Sequence, residues 1–247
     1  MLSIISSAKS LDFNTPVPTK LGEESIFYSN QIQLLQLCKD LSKDGLKKLM
    51  NISDALTGLN YQRFQHFEEQ PRKQAIFAYD GDVYDYIERY SFTPSQIDFM
   101  QTHIGIMSGL YGFLRPLDYI KPYRLEMAIK LNGMTLSSFW NSIITNHINE
   151  TLVHHQNKYL INLASVEYSS AIAHNILKNP IINIYFKENR NDQLKTIGLN
   201  AKKARGMMAN FIIKNSIDTP EGLKSFTEGN YAFSALASSD SDWVFIK

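Results

Sequence analysis

The stretch Met107–Met127, MSGLYGFLRPLDYIKPYRLEM, decides the fold more than any other part of the sequence. It mixes glycine, proline, tyrosine and charged residues in a pattern that suits neither a regular core strand nor an amphipathic helix. Gly109 and Gly112 can adopt backbone angles that other residues avoid, while Pro116 and Pro122 fix φ and lack an amide donor. The stretch therefore predicts a rigid and irregular platform.

Three cations project from this platform, namely Arg115, Lys121 and Arg124. A cation held in place beside a tyrosine ring is well suited to binding a phosphate or a carboxylate. We therefore treat these three side chains as candidate anion-binding residues.

Composition and charge narrow the class of protein. The chain has 247 residues, of which 44% are hydrophobic and 20% charged, which favours a globular domain over a disordered or fibrous chain. We predict one domain, residues 1–247. The formal net charge is +1, so any attraction to nucleic acid must come from local clusters of cations.

The single cysteine, Cys38, excludes an internal disulfide, a thiolate zinc cluster and a CxxC redox pair. Its apolar helical surroundings predict a buried, inert thiol. Neither a signal-peptide pattern nor an apolar run of membrane length is present, and we expect a cytoplasmic protein with no membrane partner.

The hydrophobic pattern predicts an α+β fold, a single mixed domain in which helices and strands are interleaved without a regular βαβ period. Predicted strands cover residues 2–6, 75–79, 159–165, 180–187, 196–199, 231–237 and 243–247. Predicted helices cover residues 23–41, 54–67, 94–103, 137–155 and 201–213, with Thr93-Pro94 opening the third.

The helix at 201–213, AKKARGMMANFII, is the second informative segment. Its helical period places Lys202, Lys203 and Arg205 on one side together with Asn210, opposite an apolar side that contains Met208. Cations near a helix N-terminus, beside its free amides, form a natural anion site. The alternative is a solvated charged face with no ligand.

Shorter polar motifs follow predicted strands. They are Ser6, Ser7, Lys9 and Asp12 after the first strand, Asp82 in GDVY at 81–84, and NLASVEY at 162–168. Each motif either lines a cleft or only caps a helix and closes a turn. The six histidines show no metal-ligand spacing, and no nucleotide-binding loop or nucleophile elbow is present, so we expect no metal, no cofactor and no assigned catalytic residue.

Together these motifs resemble the YaaA family of peroxide-stress proteins over nearly the whole chain. The resemblance rests on SSAKSLDF at 6–13, GDVY at 81–84, the block at 108–127, NLASVEY at 162–168, AKKARG at 201–206 and NYAFS at 230–234. It implies a cytosolic DNA-binding protein with an α+β fold, a positively charged cleft and a helix-hairpin-helix-like element. It also implies a role in limiting free iron and DNA damage under peroxide.

Carried over by position, the resemblance gives a set of candidate DNA-binding residues: Lys9, Gly109, Gly112, Arg115, Lys121, Arg124, Lys202, Lys203 and Arg205. In this interpretation GLYG at 109–112 is the hairpin whose amides bind phosphate. The sequence departs from the family pattern at Ser7, Asp80, Ala128 and Asn210, where the family commonly has proline, a basic residue, glycine and arginine. The two lost cations predict weaker phosphate attraction if those positions face the cleft.

Two functions are compatible with these residues. The first is a non-enzymatic protein that binds duplex or distorted DNA without sequence preference, with bases stacking on Tyr111 or Tyr123. The second is an enzyme that acts on a small anionic or nucleotide ligand. Its candidate acids, bases and anion clamps are Lys9, Asp12, Asp82, Arg124, Glu126, Glu167 and Lys202. The oligomeric state is left open.

Overall fold

The structure, a computed structural model, describes all residues from 1 to 247. The strands are β1 (Leu2–Ser6), β2 (Ser10–Leu11), β3 (Lys73–Gln74), β4 (Tyr79–Asp80), β5 (Ile104–Ser108), β6 (Gly112–Leu114), β7 (Tyr119–Ile120), β8 (Lys130–Leu131), β9 (Met134–Thr135), β10 (Leu160–Asn162), β11 (Ile181–Arg190), β12 (Gln193–Lys195), β13 (Ala232–Phe233) and β14 (Asp242–Ile246). The helices are α1 (Tyr28–Lys39), α2 (Lys43–Met50), α3 (Asp54–Gln65), α4 (Ala75–Ala78), α5 (Pro94–His103), α6 (Leu136–Val153), α7 (Val166–Ser169), α8 (Gly198–Lys214) and α9 (Pro220–Leu223).

One eight-stranded sheet organises the core, in the order β13-β14-β11-β10-β1-β5-β6, with β12 pairing to β11. The five strands from β14 to β5 are parallel, and antiparallel pairs flank them at β13 and β6. The strands β1, β5 and β10 are buried over almost their whole length, which is typical of parallel strands covered on both faces. The predicted α+β class is confirmed.

Helices cover both faces of this sheet. Phe211 of α8 packs edge to face against Phe226, which in turn contacts Phe186 of β11. On the other face, His147 of α6 packs against Phe113, whose ring lies over Gly105 of β5. Parallel strands place their carboxyl ends at one shared edge, so the residues that follow β1, β5 and β10 come together there.

Several helix predictions are confirmed with small shifts in their ends. The helix from Pro94 has the predicted start, because the Thr93 hydroxyl accepts from the Gln96 amide while the Gln96 side chain accepts from the Thr93 amide. Ser53 caps α3 through its hydroxyl alone, which accepts from the Leu56 amide. The helix predicted from residue 23 begins only at Tyr28.

Two strand predictions are wrong. Residues 75–78 form the short helix α4, all of it fully buried, and only Tyr79 enters a strand. An apolar run that is buried on every side has no period that separates helix from strand. Residues 196–199 are not a strand either, since β12 ends at Lys195 and α8 already begins at Gly198.

The predicted strand at 231–237 is extended only at Ala232–Phe233, and residues 235–237 form a 3-10 turn. The platform at 107–127 is irregular as predicted. It contains the end of β5, the strands β6 and β7, and connecting turns, and most of its side chains are buried.

Candidate nucleic-acid interface

The carboxyl end of β1 is tied to two neighbouring segments. The Ser6 hydroxyl accepts a hydrogen bond of 2.9 Å from the Ser165 amide, which follows β10. The buried Tyr84 hydroxyl donates to the Ser6 carbonyl oxygen at 3.0 Å. The segment from Ser7 to Lys9 therefore leaves the sheet at a fixed position and direction.

A shallow depression lies beside this strand end. It is lined by Ser7, Ala8, Lys9, Tyr123, Arg124, Leu125, Glu126 and Tyr168. We call it the strand-end site. It joins the first strand, the platform and the NLASVEY segment, three of the motifs from which the resemblance was drawn.

Glu126 holds the two cations of the strand-end site. The Arg124 guanidinium donates through Nε, at 2.9 Å, to Oε1 of Glu126, and the Lys9 ammonium lies 3.6 Å from the same oxygen. The Lys9 side chain is 65% exposed, whereas that of Glu126 is only 12% exposed. The other carboxylate oxygen, Oε2, is buried without a hydrogen-bond partner.

The N-terminal part of α8 approaches the same region through the turn at Gly81-Asp82. Lys202 lies 3.4 Å from the Asp82 carboxylate, and the Lys203 ammonium lies 5.8 Å from the centre of the Tyr86 ring. Asp82 therefore forms an ion pair and does not cap the 3-10 turn that follows it. No side chain caps the first amides of α8.

The turn at Gly81 connects the two groups of cations. Ser10 pairs with Asp80 in the β2–β4 ladder, and Gly81 lies next to Ala8. The backbone that leads to Lys9 is thus adjacent to the backbone that leads to Asp82. We call the three lysines around this turn, the exposed Lys9 and Lys202 and the half-buried Lys203, the basic rim.

Arg115 and Lys121 lie outside the basic rim and the strand-end site. Arg115 donates through Nε to the buried Asp118 carboxylate at 2.9 Å and also pairs with Glu23. Lys121 donates at 2.9 Å to both the carbonyl and the carboxylate of Glu68. Both cations neutralise protein carboxylates, so the structure does not bring them to the cleft that the resemblance implied.

Gly109 and Gly112 also have a structural role. They lie in a turn that joins β5 to β6, a β-hairpin, and this turn does not lie between two helices. The GLYG segment is therefore not a helix-hairpin-helix element. The Gly109 carbonyl accepts a hydrogen bond of 2.9 Å from the Trp140 indole. Gly112 has a φ of 71°, and any side chain at this position would overlap the Trp140 ring. The turn is buried, so its amides cannot reach a DNA phosphate.

The two tyrosines that were expected to stack on bases are buried as well, at 2% exposure for Tyr111 and 4% for Tyr123. The Tyr123 hydroxyl hydrogen-bonds with Tyr79 and Ser108, each at 2.6 Å. Burial raises the pKa of Tyr123 to about 12. These rings stabilise the platform, and the stacking prediction is wrong for this structure.

Arg205 and Asn210 show that the predicted charged side of α8 is narrower than the helical wheel indicates. Arg205 is half-buried, its Nε is buried without a partner, and burial lowers its pKa. Asn210 is buried, and its Oδ1 accepts from the Glu88 amide at 3.0 Å. The turn at Tyr84–Tyr86 and helix α5 both pack on α8, so more than the sheet side of the helix is covered.

Asn210 therefore does not face the basic rim, and the lost arginine at this position does not remove a rim cation. Asp80 does lie next to the rim, because it pairs with Ser10. Asp80 thus places a carboxylate beside the rim, at a position where the family commonly has a basic residue. Sequence reasoning missed Tyr86, which follows the GDVY motif and lies under Lys203.

No helix of the structure has the length and apolar character needed to span a membrane.

Comparison with known proteins places the chain in a family. A family model described as peroxide stress protein YaaA matches residues 1–237. The chain belongs to this family. The resemblance found from the sequence motifs is thereby confirmed.

Full-length relatives agree with this family assignment. A UPF0246 protein of Rickettsia bellii (strain OSU 85-389) is 53% identical over 248 residues, with both chains covered completely. UPF0246 proteins of Rickettsia felis and Rickettsia rickettsii (strain Iowa) are 52% and 51% identical over 247 residues, again with complete coverage of both chains. The family similarity therefore extends over the strand-end site and the basic rim.

Proposed function

We propose that this member of the YaaA family binds DNA without sequence preference in the peroxide stress response, and so helps to limit free iron and DNA damage. The observation that supports this proposal most is the grouping of Lys9, Lys202 and Lys203 around the turn at Gly81-Asp82. These lysines come from distant parts of the sequence.

The lysines of the basic rim are available to a polyanion. Lys9 and Lys202 are 65% and 57% exposed, and their ion pairs are long, at 3.6 and 3.4 Å. Exposed pairs of this kind contribute about 0–1 kcal/mol, so a DNA phosphate can replace the carboxylate at low cost. Lys203 has no carboxylate partner in the structure.

Binding through these cations predicts a strong salt dependence. Each phosphate contact contributes about 0.7–0.9 to the slope of log affinity against log salt concentration, so three lysines give a slope of roughly 2–3. Contacts of this type read the backbone and not the bases, which fits binding without sequence preference. The Arg124 guanidinium is held by its ion pair with Glu126. It adds positive charge near Lys9 but does not itself contact the phosphate.

The test is the double variant Lys9→Ala with Lys202→Ala. We expect duplex DNA affinity to fall at least about tenfold at low salt and the salt slope to decrease by about two, since each lysine gives up one phosphate contact. Fluorescence anisotropy with a labelled duplex at several salt concentrations measures both quantities.

The matched control is Lys48→Ala with Lys158→Ala, two exposed lysines that form no ion pair and lie away from the basic rim. It removes the same charge, so a general loss of attraction would weaken both variants equally. Equal affinities for the two variants would contradict the proposal.

A second candidate function is an enzyme for a small anionic or nucleotide ligand at the strand-end site. The observation that favours it is the unpartnered Oε2 of Glu126, which is buried beside Tyr123, Tyr168 and Ser7. Such an oxygen is a candidate acceptor for a ligand hydroxyl or amine.

The variant Glu126→Gln separates the two functions. If DNA binding is the function, loss of this carboxylate frees Lys9 and Arg124 from their ion pairs. We then expect DNA affinity to rise about two- to fivefold, because an ion pair of this strength no longer competes with the phosphate. If the site is catalytic, a nucleotide found in a thermal-shift screen is still bound by the variant but no longer turned over. If no nucleotide in the screen stabilises the protein, the enzyme hypothesis is contradicted.

A further inference from the structure

Three residues that are far apart in sequence meet at the amino-terminal edge of the parallel strands. His103 ends α5 directly before β5, His155 follows α6 shortly before β10, and Asp218 lies between α8 and α9. One ligand atom from each of them lies within 4.8 Å of the other two. This edge of the sheet is opposite the strand-end site, which follows the carboxyl ends of β1 and β10.

The spacing of these atoms suits a metal ion. Nε2 of His103 lies 3.4 Å from Oδ1 of Asp218. Bonds of about 2.0–2.2 Å from a tetrahedral ion to nitrogen and oxygen place neighbouring ligand atoms roughly 3.3–3.5 Å apart. The His103 and His155 rings meet edge to face with their centres 4.8 Å apart, and one nitrogen of each ring lies within 4.8 Å of the other.

Neighbouring groups orient the ligands. Nδ1 of His103 lies 3.0 Å from the Phe99 carbonyl, and the His103 ring stacks on the Phe99 ring at 3.8 Å. Donation from Nδ1 to this carbonyl leaves the lone pair of Nε2 directed at Asp218. A histidine whose second nitrogen is bound to a carbonyl is the usual arrangement around protein-bound metals.

The cluster is open to solvent, because both histidines line a surface depression of about 480 Å³. A metal ion can therefore reach it without any rearrangement of the core.

We propose that His103, His155 and Asp218 bind a divalent first-row transition metal ion. Two imidazoles and one carboxylate suit zinc, iron, cobalt or nickel and not calcium or magnesium, which prefer oxygen ligands. Three protein ligands leave at least one coordination position for water or another donor. The ion connects the ends of α5 and α6 to the segment after α8.

A competing explanation is that the cluster only holds the Met1 amino group. This group hydrogen-bonds with Asp218 and lies 3.1 Å from Nδ1 of His155. A metal ion at this cluster must therefore displace the amino group or share Asp218 with it. The two explanations differ in whether added metal binds stoichiometrically.

The experiment titrates the full, metal-free chain with Co²⁺ and Zn²⁺. We expect one ion per chain, visible d–d absorption bands for bound Co²⁺, and a melting temperature that rises with Zn²⁺ concentration. His103→Gln, His155→Gln and Asp218→Asn should each weaken binding at least tenfold. The exposed histidines in His66→Gln and His174→Gln lie outside this depression, so these variants are matched controls and should leave binding unchanged.

The variant His155→Cys guards against loss of folding as the explanation. It restores a ligand at the same position, so Co²⁺ should bind and show a new sulfur-to-cobalt charge-transfer band in the near ultraviolet. Absence of stoichiometric binding to the wild-type chain, or equal weakening by the control variants, would overturn the proposal. Lys9→Ala with Lys202→Ala should not alter metal binding, which keeps this test independent of the DNA test.

Discussion

Asp12 shows at the scale of one residue how a predicted cleft carboxylate turns out to be a structural one. Its Oδ1 accepts from the amides of Asn14 and Thr15, at 2.8 and 3.0 Å, and so closes the turn after β2. The ammonium of the buried Lys73 lies 3.5 Å from its other carboxylate oxygen. Hydrogen bonds from Thr15 hold the pKa of Asp12 well below its usual range.

We expect Asp12→Asn to lower the free energy of unfolding by about 1 kcal/mol at pH 7, because Lys73 loses its anionic partner while the turn keeps its acceptor. The native pKa of Asp12 is depressed, so its stabilisation is complete above the unfolded value of about 3.9 and is lost as the pH falls below it. Urea unfolding at pH 7 and pH 3 measures the difference, which should be smaller at pH 3.

The exposed Asp240, which forms no ion pair, supplies the control for this experiment. Asp240→Asn should change stability by less than about 0.5 kcal/mol at either pH. A difference for Asp12→Asn that is constant from pH 7 to pH 3 would show that its charge does not matter.

Cys38 is a residue whose predicted state the structure confirms. It is 1% exposed in the core, and burial raises the pKa of its thiol to about 12. Peroxide reacts with the thiolate form, and this form is nearly absent at such a pKa. Cys38 is therefore a poor candidate for a peroxide-sensing thiol.

At the scale of one element, helix α8 depends on Gly206 for its position. A methyl group at Gly206 would overlap the Val83 carbonyl oxygen, and it would press on Tyr86. The backbone of α8 at Gly206 therefore packs directly against the backbone of the turn after Asp82, with no side chain between them. This contact places Lys202 beside Asp82 and Lys203 above Tyr86.

We expect Gly206→Ala to destabilise the protein by about 1–3 kcal/mol, because α8 or the turn must move to admit the methyl group. Alanine is the better helix former, so intrinsic propensity alone predicts the opposite sign. Chemical denaturation gives the free energy of unfolding.

Gly58 within α3 provides the comparison, since a methyl group there meets no atom within 4 Å. Gly58→Ala should stabilise the chain by about 0.5–1 kcal/mol. If both glycine variants stabilise the protein, the close contact of α8 with the turn is not rigid.

At the scale of the whole molecule, the parallel sheet separates two groups of polar residues. The basic rim and the strand-end site follow the carboxyl ends of the strands, whereas the cluster of His103, His155 and Asp218 lies at their amino ends. Sites that share no contacts act independently, so substitutions at one edge should add to those at the other. A nearly neutral chain, of net charge +1, can in this way still group three lysines around one turn.

The sequence predicted what local patterns can show. Helices with caps, such as α5 after Thr93, and buried strands, such as β1, were found because their signals lie within a few residues. The family resemblance was found from motifs such as SGLYGFLRPLDY for the same reason. Lys9 and Lys202 were candidate anion-binding cations, and both are exposed.

The sequence could not show which cations are already paired. Lys121 pairs with Glu68, and Arg115 pairs with Glu23 as well as with the nearby Asp118. Glu23 and Glu68 are about 50 to 90 residues from their partners in the chain, so no local pattern shows these pairs. Asn210 and Arg205 were assigned to an open side because a helical wheel assumes one covered face. Contacts from the Tyr84–Tyr86 turn cover a second face of α8.

The amino-acid sequence by itself determined the class of the fold, the family, the buried thiol and the positions of most helices, because these follow from residue type and short-range periodicity. Only the tertiary structure decided that Lys9, Lys202 and Lys203 surround one turn, that the GLYG segment is a buried β-hairpin, and that His103, His155 and Asp218 meet. The physical reason is that burial and the spacing of side chains depend on packing between elements, many of which are far apart in the chain, and residue type alone does not fix that packing.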